Sequence, residues 1–192
     1  AATQVAGVDV VHPVGGAQAI AAMAYGTESV RKVDVIVGPG NMYVAQAKQQ
    51  VAGAVRVPSA FTGPSEVVVV ADGTSPAEFT ATDLVAQAEH GPDGMSWLVT
   101  WSETVADAVD AALDRVLEDA PRGAEIAGTL ASSGHCVLVD DEQQALAVVD
   151  AIAPEHLQLM VADAEILAER VCNAGAVFLG PWTPTSIGDY VA

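Results

Sequence analysis

Several short stretches of this 192-residue chain hold residue types that do chemistry together. Gln87-Ala88-Glu89-His90 stands directly before the breakers Gly91-Pro92-Asp93-Gly94. Gln87 and His90 are spaced i, i+3, so on a helix both project from one face of its last turn. They can offer an amide oxygen and an imidazole to a metal ion, or simply set a His against the negative end of a helix dipole. Pro154-Glu155-His156-Leu157 places an acid beside an imidazole just ahead of the apolar run HLQLMV. Such a pair can act as general acid and base, or be an ordinary surface pair. Gly15-Gly16-Ala17-Gln18 and Gly38-Pro39-Gly40-Asn41 each lie between an apolar run and a helical stretch. Backbone N–H groups there can hold an anion or only turn the chain. Neither stretch is G-x-G-x-x-G or a P-loop. Asp189, in Ser186-Ile187-Gly188-Asp189-Tyr190, is a single carboxylate in a Gly-containing loop. His12, in a strand, and His135, at a strand start, have no chemical company and read as structural. Cys136 and Cys172 fit neither CxxC nor a metal-ligand spacing and are expected to be buried small apolar residues.

The elements that must position these groups alternate along the chain. Val8–Val11, Val33–Val37 and Val55–Val57 read as short strands, with helices over Ala17–Tyr25 and Met42–Val51. The loop Phe61–Ser65 (FTGPS) reads as a lobe boundary. Glu66–Ala71 is an apolar run of the kind buried on both faces of a parallel sheet. Ser75 as N-cap and Pro76 at the first helical position open a helix to about His90. Strands follow at Ser96–Thr100, Cys136–Val139, His156–Val161 and Ala176–Leu179. The helices between them are expected over Ser102–Asp119, Pro121–Ala131, Asp141–Ala151 and Asp163–Asn173, and Gly180–Ala192 reads as a loop. This alternation predicts an α/β fold, a parallel sheet with helices on its faces, and the FTGPS loop divides it into two lobes, residues 1–62 and 63–192. The two Gly-rich turns would then lie side by side at the carboxyl edge of a sheet, where α/β proteins bind ligands.

Composition narrows the partners. Seven Lys and Arg against 25 Asp and Glu give a net charge of −18. That excludes a basic nucleic-acid patch and an anionic membrane surface as partners. At 51% hydrophobic the chain has ample material for a core, so disorder is excluded. There is no apolar run of 18 residues and no signal-peptide pattern, and a cytoplasmic location is expected. The start at Ala1 and the end at Ala192 both read as cuts.

In combination, the stretches GGAQAIAAMAYGTESV (15–30), VDVIVGPGN (33–41), FTGPSEVVVVAD (61–72), DLVAQAEHGPD (83–93), APEHLQLM (153–160) and AGAVFLGPWTPTSIGDY (174–190) resemble the histidinol dehydrogenase family. They keep its order and spacing, with Thr62 in place of a more usual small residue. The resemblance implies a zinc- and NAD-dependent oxidation of L-histidinol to L-histidine through the aldehyde, in a homodimer whose subunits have two lobes with Rossmann-like parallel sheets, the second lobe incomplete in this chain. It implies zinc ligation by Gln87, His90 and Asp189, and acid/base work by Glu155 and His156. It also implies substrate contact by Ser65 and by the zinc ligands and His156, and NAD contact by Gln18 and Asn41. Family chains are about twice this long. They carry a further NAD-contacting tyrosine before this region, and substrate contacts and a last zinc-ligating histidine after it. The expectation is therefore an internal fragment with weak or absent zinc binding and negligible turnover. Two other readings remain open: a related NAD-dependent dehydrogenase of another small hydroxy compound, such as a sulfolactate, and a non-catalytic binding module.

Overall fold

The computed structural model describes residues 5, 7–58, 65–91 and 94–189. The chain divides into two compact units, Ala1–Gly63 and Pro64–Ala192.

In the first unit, helices α1 (Gly16–Tyr25) and α2 (Met42–Val51) pack a small core of Ile20, Ala24, Ile36, Val51 and Val55. The three strands expected here do not form. Val8–Val11 forms no strand, and Val33–Val37 and Val55–Val57 meet only in a parallel bridge, Val35 to Arg56. Apolar runs set strand propensity, but a strand also needs a neighbour for its N–H and C=O groups. Val8, Val10, Val11, Val14, Val35 and Val37 are accordingly exposed, as is His12. With no sheet among the described residues of this unit, the two Gly-rich turns mark helix entries rather than a sheet edge. Residues 61–64 of the FTGPS loop lie outside the described residues, as do Pro92, Asp93 and Tyr190.

The second unit is an α/β layer structure. Its elements are β1 (Glu66–Ala71), α3 (Ala77–Ala88), β2 (Met95–Thr100), α4 (Glu103–Asp119), α5 (Gly123–Ser133) and β3 (Gly134–Leu138). After them come α6 (Glu142–Ile152), β4 (His156–Met160), α7 (Ala164–Ala168), β5 (Ala176–Leu179) and a 3₁₀ turn, Thr185–Asp189. The five strands are all parallel, in the order β3-β2-β1-β4-β5. Val67–Val70 at the sheet centre are fully buried, as the unbroken apolar run requires. Val67, Val69 and Met160 face Leu84 of α3 and Val109 of α4, while Val68, Val70, Leu157 and Leu159 face α6 and α7. Burying each such side chain contributes about 1.5–3 kcal/mol relative to exposure.

Helix starts follow local chemistry. Ser102 caps α4 through Val105 N–H, and Asp141 caps α6 through Gln144 N–H at 2.9 Å. Asp141→Ala is expected to cost about 1 kcal/mol, read as a lower midpoint in urea unfolding. Ser75 does not cap α3. Pro76 takes the N-cap position with extended backbone, and no side chain closes that end. The helix expected over 163–173 stops at Ala168, because the Asp150 carboxylate accepts from Cys172 and Asn173 N–H at 2.9 and 3.0 Å and draws the chain away. Both cysteines are exposed rather than buried. Cys136 sits on the edge strand β3, and Cys172 in the turn that Asp150 captures. His135 is likewise exposed, stacked on Trp97 at 4.0 Å between ring centroids. Among the described residues no helix is long and apolar enough to cross a membrane.

Candidate active site

In a parallel sheet, every strand enters at one edge, and each connecting helix runs back to that edge. Ser65 lies just before β1, Glu155 and His156 open β4, and Gln87 and His90 stand at the end of α3. All five therefore come to the amino edge of the sheet, at the point where the order reverses between β1 and β4. There they line one cleft of about 150 Å³, together with Ala86, Thr185 and Ser186. Ligands of open α/β sheets usually sit at the opposite, carboxyl edge.

The cleft wall is knitted by reciprocal bonds. Ser65 Oγ donates to Gln87 Oε1 at 3.3 Å, and Gln87 Nε2 donates to the Ser65 carbonyl at 2.8 Å. The same carbonyl accepts from Met95 N–H at 3.2 Å, which ties the entry of β2 to the entry of β1. Gly94 packs so closely that a Cβ there would lie 3.0 Å from both Gln87 Nε2 and the Ser65 carbonyl. Gln87 is buried, and the anchored amide nitrogen leaves its oxygen as the group turned toward Ser65. His90 is exposed, with Nδ1 3.1 Å from the Ala86 carbonyl. Donation from Nδ1 to that carbonyl leaves Nε2 as a lone pair. Gln87 Oε1 and His90 Nε2 thus fit as two donors to a cation, and the carbonyl end of α3 favours positive charge beside them. Among the described residues no group of three His, Cys, Asp or Glu could hold a metal ion. Asp189 closes the 3₁₀ turn, and its side chain lies outside the described residues.

His156 is half-buried, its ring 5.9 Å from that of Phe178 on β5. Phe178 in turn leaves no room for a Cβ on Gly188, which would lie 2.9 Å from the ring. One buried aromatic therefore spaces the imidazole from the turn that ends in Asp189. Glu155 is exposed, and Ala153 two residues before it holds a left-handed backbone at φ 53°, uncommon for a residue with a Cβ.

Thr80, Asp83, Gln87 and His90 fall at spacings of three and four along α3, one face of the helix. Asp83 is buried, and its carboxyl accepts from the Thr185 N–H that begins the 3₁₀ turn. Its other oxygen has no partner. Burial pushes this carboxyl from 3.8 up to about 6, against the lowering effect of the Thr185 bond. Stability from this group is fully present below about pH 3.8 and is lost as pH rises through about 6. Asp83→Asn keeps an acceptor for Thr185 and removes the charge. It is expected to stabilise the fold by about 2 kcal/mol at about pH 7.5 and to change little near pH 4, read as unfolding temperature across that range. Asp83, Glu66, Phe178 and Thr185 were not singled out from the sequence, and Ser186 was named only as the start of the stretch that holds Asp189. Only Asp83 left a local signal, as an acid on the stripe shared by Gln87 and His90.

Gln18 and Asn41 belong to the first unit. Gln18 is exposed in the first turn of α1, whose N-cap Gly15 makes no side-chain bond. Asn41 caps α2, its Oδ1 accepting from Tyr43 and Val44 N–H at 3.1 Å each. The buried Lys48 ammonium donates to the Gly38 carbonyl and holds the turn before Asn41.

A five-stranded parallel sheet in this order, with helices on both faces, is a Rossmann-like architecture. The model of the histidinol dehydrogenase family matches residues 1–192, and the chain belongs to that family. It is 52% identical over its whole length to a histidinol dehydrogenase of Parasynechococcus marenigrum and 48% identical over 190 residues to one of Cereibacter sphaeroides. In each case it spans 44% of the relative. The crystal structure of histidinol dehydrogenase from Elizabethkingia anophelis superposes at a TM-score of 0.88 with 38% identity, covering 97% of this chain and 43% of that one.

Proposed function

We propose that the chain carries the acid/base and metal-holding part of an enzyme that oxidises L-histidinol to L-histidine through the aldehyde. The observation that carries this reading is the single cleft in which Ser65, Gln87, His90, Glu155 and His156 meet. Gln87 Oε1 and His90 Nε2 would hold a zinc ion, with Asp189 as a third ligand from the 3₁₀ turn. Gln18 and Asn41 would contact NAD⁺. When bound, zinc supplies a Lewis acid at the substrate oxygen and NAD⁺ accepts the hydride.

The residues supply position and proton transfer. Ser65, fixed by its exchange of bonds with Gln87, holds the substrate against the cleft wall. In the first oxidation His156 takes the hydroxyl proton as the carbinol carbon gives up hydride, leaving the aldehyde. In the second, Glu155 takes a proton from water as the oxygen adds to the aldehyde carbon, and the hydrate loses hydride to give the carboxylate. The first oxidation yields one NADH and one proton, and the second one NADH and two protons. The same family reading assigns a cytoplasmic homodimer.

NADH formed from limiting histidinol by the full-length protein tests this. Two NADH per histidinol, abolished by a zinc chelator and restored by zinc, is the expected result. Equal turnover of sulfolactate, or none of histidinol, would contradict it.

A further inference from the structure

We infer that Glu66 is a positioning residue for the acid/base pair, holding Glu155 and His156 in place from across the sheet. The inference rests on the reading of Glu155 and His156 as that pair. The β1–β4 ladder begins at Val67 with His156. One step earlier, the backbone of Glu66 is already in register with Met95 on β2. Toward β4 its side chain continues where the ladder stops. Glu66 Oε1 accepts from the Glu155 N–H at 3.0 Å, joining residues 89 apart in sequence.

The other sides of this dipeptide are closed by backbone. Ala176 N–H donates to the Glu155 carbonyl at 2.8 Å, and Gly175 N–H donates to the Pro154 carbonyl at 2.9 Å. Gly175 approaches so closely that a Cβ would lie 2.7 Å from the Glu155 carbonyl oxygen. β5 thus fixes one flank of the turn, and the Glu66 carboxylate fixes the other. Without that bond, the Glu155 N–H on the β1 flank loses its acceptor. The left-handed Ala153 then strains a turn held on one side only. A shift of about 1 Å in a base can cost on the order of 100-fold in rate. Glu66 needs no contact with substrate to have this effect.

Three variants of the full-length protein separate reach from charge. Glu66→Gln keeps an oxygen at the same distance and removes the charge. Glu66→Asp keeps the charge and withdraws the oxygen by one methylene, and Glu66→Ala removes both. Glu66→Ala and Glu66→Asp are expected to lower kcat for histidinol oxidation about 10- to 100-fold with KM little changed. Glu66→Gln is expected to stay within about threefold of the parent. Amide hydrogen exchange at Glu155 is expected to speed up in the Ala and Asp variants and not in Gln. Unchanged kcat in Glu66→Asp, or loss in Glu66→Gln equal to that in Glu66→Ala, would overturn the inference while leaving the functional reading standing. A parent protein that forms no NADH from histidinol would overturn both.

Discussion

Replacing His156 with Asn is expected to lower kcat for histidinol oxidation by about two to four orders of magnitude, with KM for histidinol changed only a few-fold. General acid–base groups contribute in that range. Asn keeps a polar side chain of similar reach but cannot take up the proton. His156 opens β4, and its register neighbours Val67 and Ala176 set its backbone from both sides. Phe178 packs against its ring, and the half-buried side chain faces the cleft shared with Gln87. The backbone is therefore held by the sheet whatever the side chain, and the variant should unfold at nearly the parent temperature. A kcat loss with unaltered folding isolates the proton-transfer role. Equal losses in kcat and unfolding temperature would assign His156 to the fold instead.

His90→Ala is expected to weaken zinc binding by more than about 100-fold, measured by equilibrium dialysis of the full-length protein. Loss of a partner that merely orients a ligand already costs roughly 10- to 100-fold, and a lost ligand costs more. His90 is suited to the role by its surroundings rather than by its type alone. The Ala86 carbonyl 3.1 Å from Nδ1 selects the tautomer whose Nε2 can coordinate. The carbonyl end of α3 adds a negative field beside it. Because His90 is exposed and packs no core, the substitution should leave unfolding temperature in the absence of zinc unaltered. Dialysis that finds the same affinity with and without His90 would move the metal elsewhere.

The parts of this account legible in the sequence are those encoded locally. The buried run Val67–Val70 declared a central parallel strand. Ser102 and Asp141 declared helix starts, and the i, i+3 spacing of Gln87 and His90 put both on one face. The stretches that carry the family resemblance span the whole chain, so family and fold class were readable before any coordinates. What was not legible depends on which elements become neighbours. Val8–Val11 and Val33–Val37 have strand composition, yet their N–H and C=O groups have no adjoining ladder among the described residues. Cys136 has the composition of a core residue but falls on an edge strand. The helix after Asp163 has the right pattern, but Asp150, on a different helix, intercepts its end. Glu66 shows the limit most clearly. Its neighbour Ser65 was singled out, but nothing in the chain pointed to Glu66 itself, because its partner is the backbone of a residue 89 positions away. The location of the cleft at the amino edge was equally hidden. It follows from the return of α3 and the reversal of strand order between β1 and β4, not from any motif.

In the proposed function, one cleft at the amino edge of the sheet holds both the metal and the reacting end of the substrate. A crystal structure of the full-length protein with zinc and histidinol, with the metal located by anomalous scattering, tests it most directly. Zinc is expected to be bonded to Gln87 Oε1 and His90 Nε2, with the Ser65–Gln87 hydroxyl bond replaced by metal coordination and the histidinol hydroxyl within hydrogen-bond reach of His156. Zinc or histidinol at the carboxyl edge of the sheet, with the Ser65–Gln87 pair intact, would contradict it.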